Sequence, residues 1–268
     1  MGEGMQSSNA EPFTASGVFD CLAAGCDHSA AEQAAAARMV NVYPTVQAGV
    51  RESRAFMRRA ITYLVREGVD QFLDIGTGIP TKPHINHIAQ SLNPRSRIVY
   101  AGSRRPTGDQ LSRLFASSSS GAVDHVHADI GDTDRLLSSA AATLDFSRPV
   151  AVSFLAVLHF LAEADDPAGV VKSVMGRVAA GSYLLLTHGT YDFSPLDEKL
   201  ITAAYSAIGL SANGRTREAI LEIVDDLTLV GPGLCPVTEW SPEGSSVVRR
   251  TGSVPMYAAL GVKKGTLP

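Results

Sequence analysis

Three cysteines are all that this chain of 268 residues carries: Cys21, Cys26 and Cys235. They form neither an even set nor a CxxC pair, so they read as reduced thiols of a cytoplasmic protein and not as a disulfide scaffold or metal knot. Met1 to Ser16 has no basic segment followed by an apolar run, which argues against a secretory signal. No apolar stretch reaches the length of a membrane-spanning helix, so no membrane partner is expected. The 23 basic residues are scattered among 27 acidic ones, for a net charge of −4. Short clusters such as Arg104-Arg105 and Arg249-Arg250 do not make the basic stripe that nucleic acid requires. A Gly-x-Ser-x-Gly elbow, a Walker loop and an HExxH helix are also missing, so hydrolase, nucleotide triphosphatase and zinc-protease chemistry have no motif behind them.

What the chain does have is 45% hydrophobic and 19% charged residues, the balance of a compact globular protein. Its length suits one large core domain with an N-terminal extension. Residues 1–16 read as a disordered tail, 17–68 as a helical cap, and 69–268 as the core domain. Helices are expected over Ala30–Val40 and Val46–Glu67, the second with Val50, Phe56, Ile61 and Leu64 on one face. Arg51, Arg54, Arg58 and Arg59 then fall on a solvated face.

From Gln71 short β-rich runs alternate with helical patterns. Strands are expected near Gln71–Ile75, Arg97–Ala101, Val123–Ala128, Val150–Phe154 and Tyr183–His188. Helices are expected near Thr81–Leu92, Thr107–Ser117, Thr133–Thr143 and Pro167–Val178. Two further helices, Pro195–Ile208 and Arg217–Val224, precede a closing antiparallel pair at Leu227–Val230 and Val254–Val262. The Ser117–Gly121 stretch reads as a flexible loop. This alternation predicts an α/β fold: a mostly parallel sheet with helices on both faces and an antiparallel closing strand.

The first of these strands ends in Asp74-Ile75-Gly76-Thr77-Gly78-Ile79-Pro80-Thr81. An acid followed by Gly-x-Gly and a helix start suits a nucleotide at the carboxyl edge of a parallel sheet. Glycine allows positive φ and close approach, and a helix N-terminus offers free N–H groups. The third glycine of GxGxxG is absent, so a tight strand-to-helix turn explains the same residues.

This segment, with Ala128-Asp129-Ile130, Ala156-Val157-Leu158-His159-Phe160 and Asp165-Asp166-Pro167, resembles a bacterial family of S-adenosyl methyltransferases. Leu144 to Val150, Gly181-Ser182-Tyr183-Leu184, Arg215-Thr216-Arg217-Glu218 and Pro232-Gly233-Leu234 extend the likeness from about Gly17 to the C-terminus. The resemblance implies a seven-stranded, Rossmann-like methyltransferase sheet whose N-terminal helices cap the cofactor cleft. It implies S-adenosylmethionine as cofactor, with Asp74, Gly76, Thr77 and Gly78 at the methionine end and Asp129 and Ile130 near the adenine. It further implies a lid over Phe19-Asp20 through Gly25-Cys26-Asp27-His28, with Asp27 toward the cofactor. The family's lid reads Gly-Gly-Lys-Asp-Asn, and Ala24, Cys26 and His28 depart from it.

A larger departure lies after the second strand, where the family has Asp-Asn-Asp-Pro and an acid accepts the ribose hydroxyl protons. Here the loop is Gly102-Ser103-Arg104-Arg105-Pro106. Losing a charged acceptor costs about 1.5–3 kcal/mol, about tenfold to a hundredfold in affinity. In dinucleotide folds an arginine at this place suits the 2′-phosphate of NADP(H), so Ser103, Arg104 and Arg105 also support a phosphorylated-nucleotide alternative.

His159, after the fourth strand, is the candidate general base. His188 ends the fifth strand, with Tyr191 just beyond, and both are candidates for touching a small-molecule substrate. His125, His127 and Asp129 alternate along one strand, but no further ligand is spaced to complete a metal site. His84 and His87 read as surface or interface residues. The Ala-rich N-terminal helix could support a homodimer.

Overall fold

The structure, a computed structural model, describes residues 13–79, 83–115, 120–193, 196–243 and 254–265. Most of the tail, Pro80-Thr81, most of the serine loop and Arg249-Arg250 lie outside the described residues.

Apolar runs bounded by turns build the strands. They are β1 (Gln71–Ile75), β2 (Arg97–Gly102), β3 (Ala122–His127), β4 (Ala151–Leu155), β5 (Tyr183–Gly189), β6 (Leu227–Leu229), β7 (Cys235–Pro236) and β8 (Met256–Lys263). Every residue of β1 is buried, as expected of a central strand covered on both faces. Gln71 and Asp74 are the polar members of that run, and Gln71 is fully buried. Its amide donates to Asp145 O at 2.9 Å and accepts from Asp145 N at 2.7 Å, which satisfies it inside the core.

The strand order is β3-β2-β1-β4-β5-β8-β6. The pairs from β3 to β5 are parallel, while β8 runs antiparallel between β5 and β6. These are the seven strands of the expected sheet. Among the described residues an eighth, the two-residue β7, pairs with β8 and was not legible in the sequence.

The helices are α1 (Ala15–Leu22), α2 (Ala30–Val42), α3 (Val46–Arg66), α4 (Ile85–Leu92), α5 (Gly108–Phe115), α6 (Thr133–Ala140), α7 (Pro167–Arg177), α8 (Asp197–Ser206) and α9 (Arg217–Ile223). One sheet face packs against α3 and α4, through Phe56, Ile61, Leu64, Ile85 and Ile88. The other packs against α6, α7 and α9 through Leu136, Val171, Val174 and Ile220. A third cluster joins α1, α2 and α8 through Val18, Leu22, Ala35, Met39, Ile201 and Tyr205. The buried alanines of α2 are therefore used within the chain.

Of the element boundaries that differ from expectation, two lie beside the carboxyl edge of the sheet. Helix α1 begins at Ala15, where a tail was expected to run to Ser16. Thr14 caps it by accepting from Gly17 N at 3.1 Å, and Glu32 of α2 accepts from the Thr14 hydroxyl at 2.7 Å. Helix α4 begins at Ile85, after Pro83 and His84, because the apolar face that stabilises the helix starts with Ile85, Ile88 and Ala89.

Candidate active site

Strand order reverses between β1 and β4, and the loops leaving their carboxyl ends part there. In such sheets this is where a ligand cleft opens. A cavity of 440 Å³ lies at this edge, walled by α1, α3, α8 and the loops after β1, β2, β4 and β5. That volume is in the range of small-molecule sites.

The loop after β1 is shaped by two glycines in left-handed backbone, Gly76 at φ +83 and Gly78 at φ +63. A Cβ on Gly76 would stand 2.3 Å from Val157 Cγ2, so the loops after β1 and β4 can approach only because position 76 is glycine. Gly76 N and Thr77 N donate to Ala101 O of β2 at 2.8 and 3.3 Å. Gly76, Thr77 and Gly78 all line the cavity.

Charge is concentrated around Asp74, Arg54 and Asp20, all in the wall. Asp74, next to last in β1, is buried and accepts a hydrogen bond from the Ser153 hydroxyl of β4. Burial pushes its carboxyl above the usual range, and hydrogen bonds from Ser153 and Thr77 and the charge of Arg54 oppose the rise. Burial in turn lowers the Arg54 guanidinium, against the attraction of Asp20 and Asp74. Asp20 is 2% exposed and organises the turn after α1. Its carboxylate accepts from Asp27 N at 2.9 Å and meets His28 Nδ1 at 3.0 Å.

A second cluster surrounds His159. Ala156, at φ +54, makes the sharp turn after β4, and its N–H donates to Thr187 Oγ1 of β5 at 2.9 Å. Such backbone is uncommon outside glycine and recurs at functional sites. The following 3-10 turn, Leu158–Phe160, sets His159 in the wall, 4% exposed, with Nδ1 buried and unpartnered. Its ring lies edge-on to Tyr205 at 6.2 Å and to His188 at 5.8 Å. Burial, then His188 and Arg215, hold its imidazole down at about 3.

His188 is fully buried one layer behind His159 and does not line the cavity. Its Nδ1 sits 2.7 Å from Gly189 O, which can only accept, so Nδ1 carries the proton. Nε2 then accepts from Arg215 Nη1 at 3.0 Å. Burial leads in lowering this imidazole to about 4. Arg215 also donates to Leu158 O, Leu161 O and Glu163 at 3.2, 3.0 and 2.8 Å. This buried guanidinium thus ties the turn carrying His159 to the end of β5. Tyr191 lines the cavity, and its hydroxyl donates to Ala212 O at 3.0 Å.

Beyond β2 the wall is Gly102, Ser103 and Arg104, joined by His125 and Ile130. Arg104 Nη1 donates to Gln110 Oε1 at 2.9 Å. Arg105 is exposed and outside the wall, as is Asp129, whose Oδ1 accepts from Gly131 N at 2.9 Å. Asp27 is also outside it, while its neighbour in the same segment, Asp20, is inside. β3 ends at His127, short of Asp129, and among the described residues no three metal-ligating side chains gather. His84 was expected at the surface or an interface; it is buried, N-caps α4 and lines the cavity.

The arginines of α3 divide. Arg51 and Arg58 are exposed as expected. Arg54 faces the cavity, and Arg59 donates to Trp240 O and Val237 O at 2.9 and 3.0 Å, binding the segment before β8 to α3. Sequence reasoning missed Arg54 and Tyr205, and it placed Phe19 and Asp20 in the lid segment without singling out either side chain. The one available signal for Arg54 was its i+3 and i−4 spacing from Met57 and Val50, which puts it at the margin of the apolar face.

The family model described as S-adenosyl methyltransferase matches residues 3–264. A DUF574 family protein from Streptomyces avermitilis MA-4680 is 33% identical, with a TM-score of 0.88 over 95% of this chain and 98% of that one. A candidate methyltransferase from Thermobifida fusca YX is 29% identical, with a TM-score of 0.84 over 94% of this chain and 96% of that one. The fold also matches, at 13% identity and a TM-score of 0.50, 1,6-didemethyltoxoflavin-N1-methyltransferase of Burkholderia thailandensis, covering 90% of this chain and 93% of that one. That structure holds 1,6-didemethyltoxoflavin and S-adenosylhomocysteine. Among curated proteins none matches the chain.

Proposed function

The chain belongs to the S-adenosyl methyltransferase family, whose cofactor is S-adenosylmethionine, and from that premise we propose that it is a cytoplasmic enzyme methylating a small molecule in the cleft above β1 and β4. The observation that carries this reading is the Asp20, Arg54 and Asp74 cluster in the cleft wall. The donor ends in an amino acid, with one ammonium and one carboxylate. A guanidinium suits the carboxylate, and carboxylates suit the ammonium. Left-handed Gly76 and Gly78 bring no side chain to the loop beside them, and the Thr77 hydroxyl between them is turned onto Asp74 O at 3.0 Å. The methionine half of the donor therefore fits the residues present. The ribose half meets Ser103 and Arg104 where an acid is usual, so its hydroxyls rely on weaker partners. In this reading residues 17–68 are a cap and 69–268 the cofactor domain.

When bound, the donor supplies a methyl carbon made electrophilic by its sulfonium. What remains for the protein is positioning. Arg54 and Asp74 orient the amino-acid end, the close contact of Gly76 with the Val157 loop fixes the floor, and His159 meets the acceptor. With its imidazole held near 3, His159 is neutral at physiological pH and a weak base. It orients the acceptor by a hydrogen bond, and the acceptor's proton leaves to water.

Calorimetric titration tests this. S-adenosylhomocysteine should bind, and Arg54→Gln should weaken it about tenfold or more, the scale of one charge-assisted contact. 5′-Methylthioadenosine, which lacks the amino-acid end, should bind both proteins alike. No binding of S-adenosylhomocysteine at millimolar concentration would refute the reading.

Arg104 in the cleft wall favours a second reading, a phosphorylated nucleotide such as NADP(H). Binding of NADPH that is lost on replacing Arg104 and Arg105 by alanine would support it; binding of S-adenosylhomocysteine alone would reject it.

A further inference from the structure

We propose that the acceptor is an uncharged planar aromatic compound with a protic heteroatom, seated among Phe19, Phe160, Tyr205 and His159; this rests on the methyltransferase reading above. Phe19 meets Phe160 edge-on at 5.8 Å, Phe160 meets Tyr205 edge-on at 5.8 Å, and Phe19 lies tilted by 39° to Tyr205 at 6.1 Å. All line the same cavity. They come from three separate parts of the chain, namely α1, the turn after β4, and α8. Rings set edge-on to one another present faces and edges to a further ring, and aromatic pairs favour such offset and T-shaped contact. A saturated ring of equal size keeps the burial and loses that geometry.

The polar groups near these rings select against charge. His159 brings a neutral imidazole, 4% exposed, to the cavity wall. Burying a polar ring is costly, and an acceptor O–H or N–H that bonds to it offsets part of the cost. The cation nearest this ring is Arg215, and four of its N–H groups are spent on Glu163, Leu158, His188 and Leu161. An anionic acceptor therefore finds no ready donor there, and a cationic one meets a buried positive charge behind His159. The carboxylates of the cavity wall, Asp20 and Asp74, lie in the field of the Arg54 charge, and Asp74 also accepts from the Ser153 hydroxyl. Tyr191 has its hydroxyl tied to Ala212 O, which leaves its ring as apolar wall.

The test is titration of the full chain, saturated with S-adenosylhomocysteine, with three probes of similar size: 2-naphthol, its saturated analogue decahydro-2-naphthol, and 2-naphthylmethylammonium. Binding of 2-naphthol at least tenfold tighter than either of the others is expected. Phe160→Ala should weaken 2-naphthol about tenfold and leave S-adenosylhomocysteine within threefold. Equal or tighter binding of the saturated alcohol or of the cation by the unaltered protein would overturn the inference, as would no binding of 2-naphthol to the S-adenosylhomocysteine complex. Those outcomes leave the cofactor reading standing. Failure of S-adenosylhomocysteine itself to bind would overturn both.

Discussion

Ala24 takes left-handed backbone, φ +58, in the turn that follows α1. An L side chain pays about 1–2 kcal/mol for that conformation, and glycine pays part of it back as extra freedom in the unfolded chain. The resembled family has glycine in this segment. Ala24→Gly should therefore stabilise the protein by about 0.5–1 kcal/mol in urea unfolding. A loss of stability would show that the Ala24 methyl makes a compensating contact. The buried histidines give a second prediction at this scale. In the unfolded chain each titrates near 6.5, while the folded state holds His159 at about 3 and His188 at about 4. As pH falls below about 6.5 the unfolded chain takes up protons that the native one refuses. Stability is thus intact above that pH and declines toward the folded values, by up to about 1.4 kcal/mol per pH unit per histidine. Asp74 works the other way, because its raised carboxyl takes up a proton more readily when folded. Urea unfolding at pH 7, 6 and 5 should show the decline, and the double variant His159→Gln, His188→Gln should flatten it. An unchanged slope in that variant would assign the loss to other groups.

Elements differ in how openly the chain announces them. β1 through β5 were legible because each is a short apolar run between turn residues, and burial on both faces demands such runs. Helix α1 was not, because its eight residues are too few to hold a helix unaided. Glu32 supplies the missing support from α2, accepting from Thr14 N, the Thr14 hydroxyl and Ser29 N. A contact across 18 residues has no local signature. The site divides in the same way. The glycine loop after β1 and the His159 turn could be found from residue type and place. Arg54 could not, since a charge on an amphipathic helix reads first as solvated. Arg215 joins elements most tightly, holding the turn after β4 and the end of β5 from the loop before α9. A lysine has neither the fork nor the reach to serve all three, and breaking a buried charged network costs about 3–5 kcal/mol. Arg215→Lys should destabilise by about that much and leave His188 Nε2 without its donor, while Gly189 O keeps the proton on Nδ1. Nitrogen-15 spectra of the histidine rings would read the second effect, and an unchanged Nε2 signal would mean that Arg215 does not donate to it.

At the scale of the molecule, three apolar clusters meet around one cavity: two on the faces of the sheet, and a third where α1, α2 and α8 close over its carboxyl edge. The sheet needs no ligand to be complete, since its strands are paired and its faces covered. The third cluster is different. Phe19, Tyr43 and Tyr205 present side chains both to it and to the cavity, so a ligand in the cavity adds contacts to α1 and α8. Ligand binding should then stabilise the whole fold and the N-terminal helices most. At a hundred times its dissociation constant, S-adenosylhomocysteine should add about 2.7 kcal/mol to unfolding, and the midpoint should rise by about 5–10 °C. Hydrogen exchange should slow in α1 and in the turn around Asp20 and Asp27 more than in β6 or α9, which lie away from the cavity wall. Stabilisation with no added protection in α1 would place the binding energy in the loops of the sheet alone. The helices before β1 would then be a fixed wall of the cleft and not its lid.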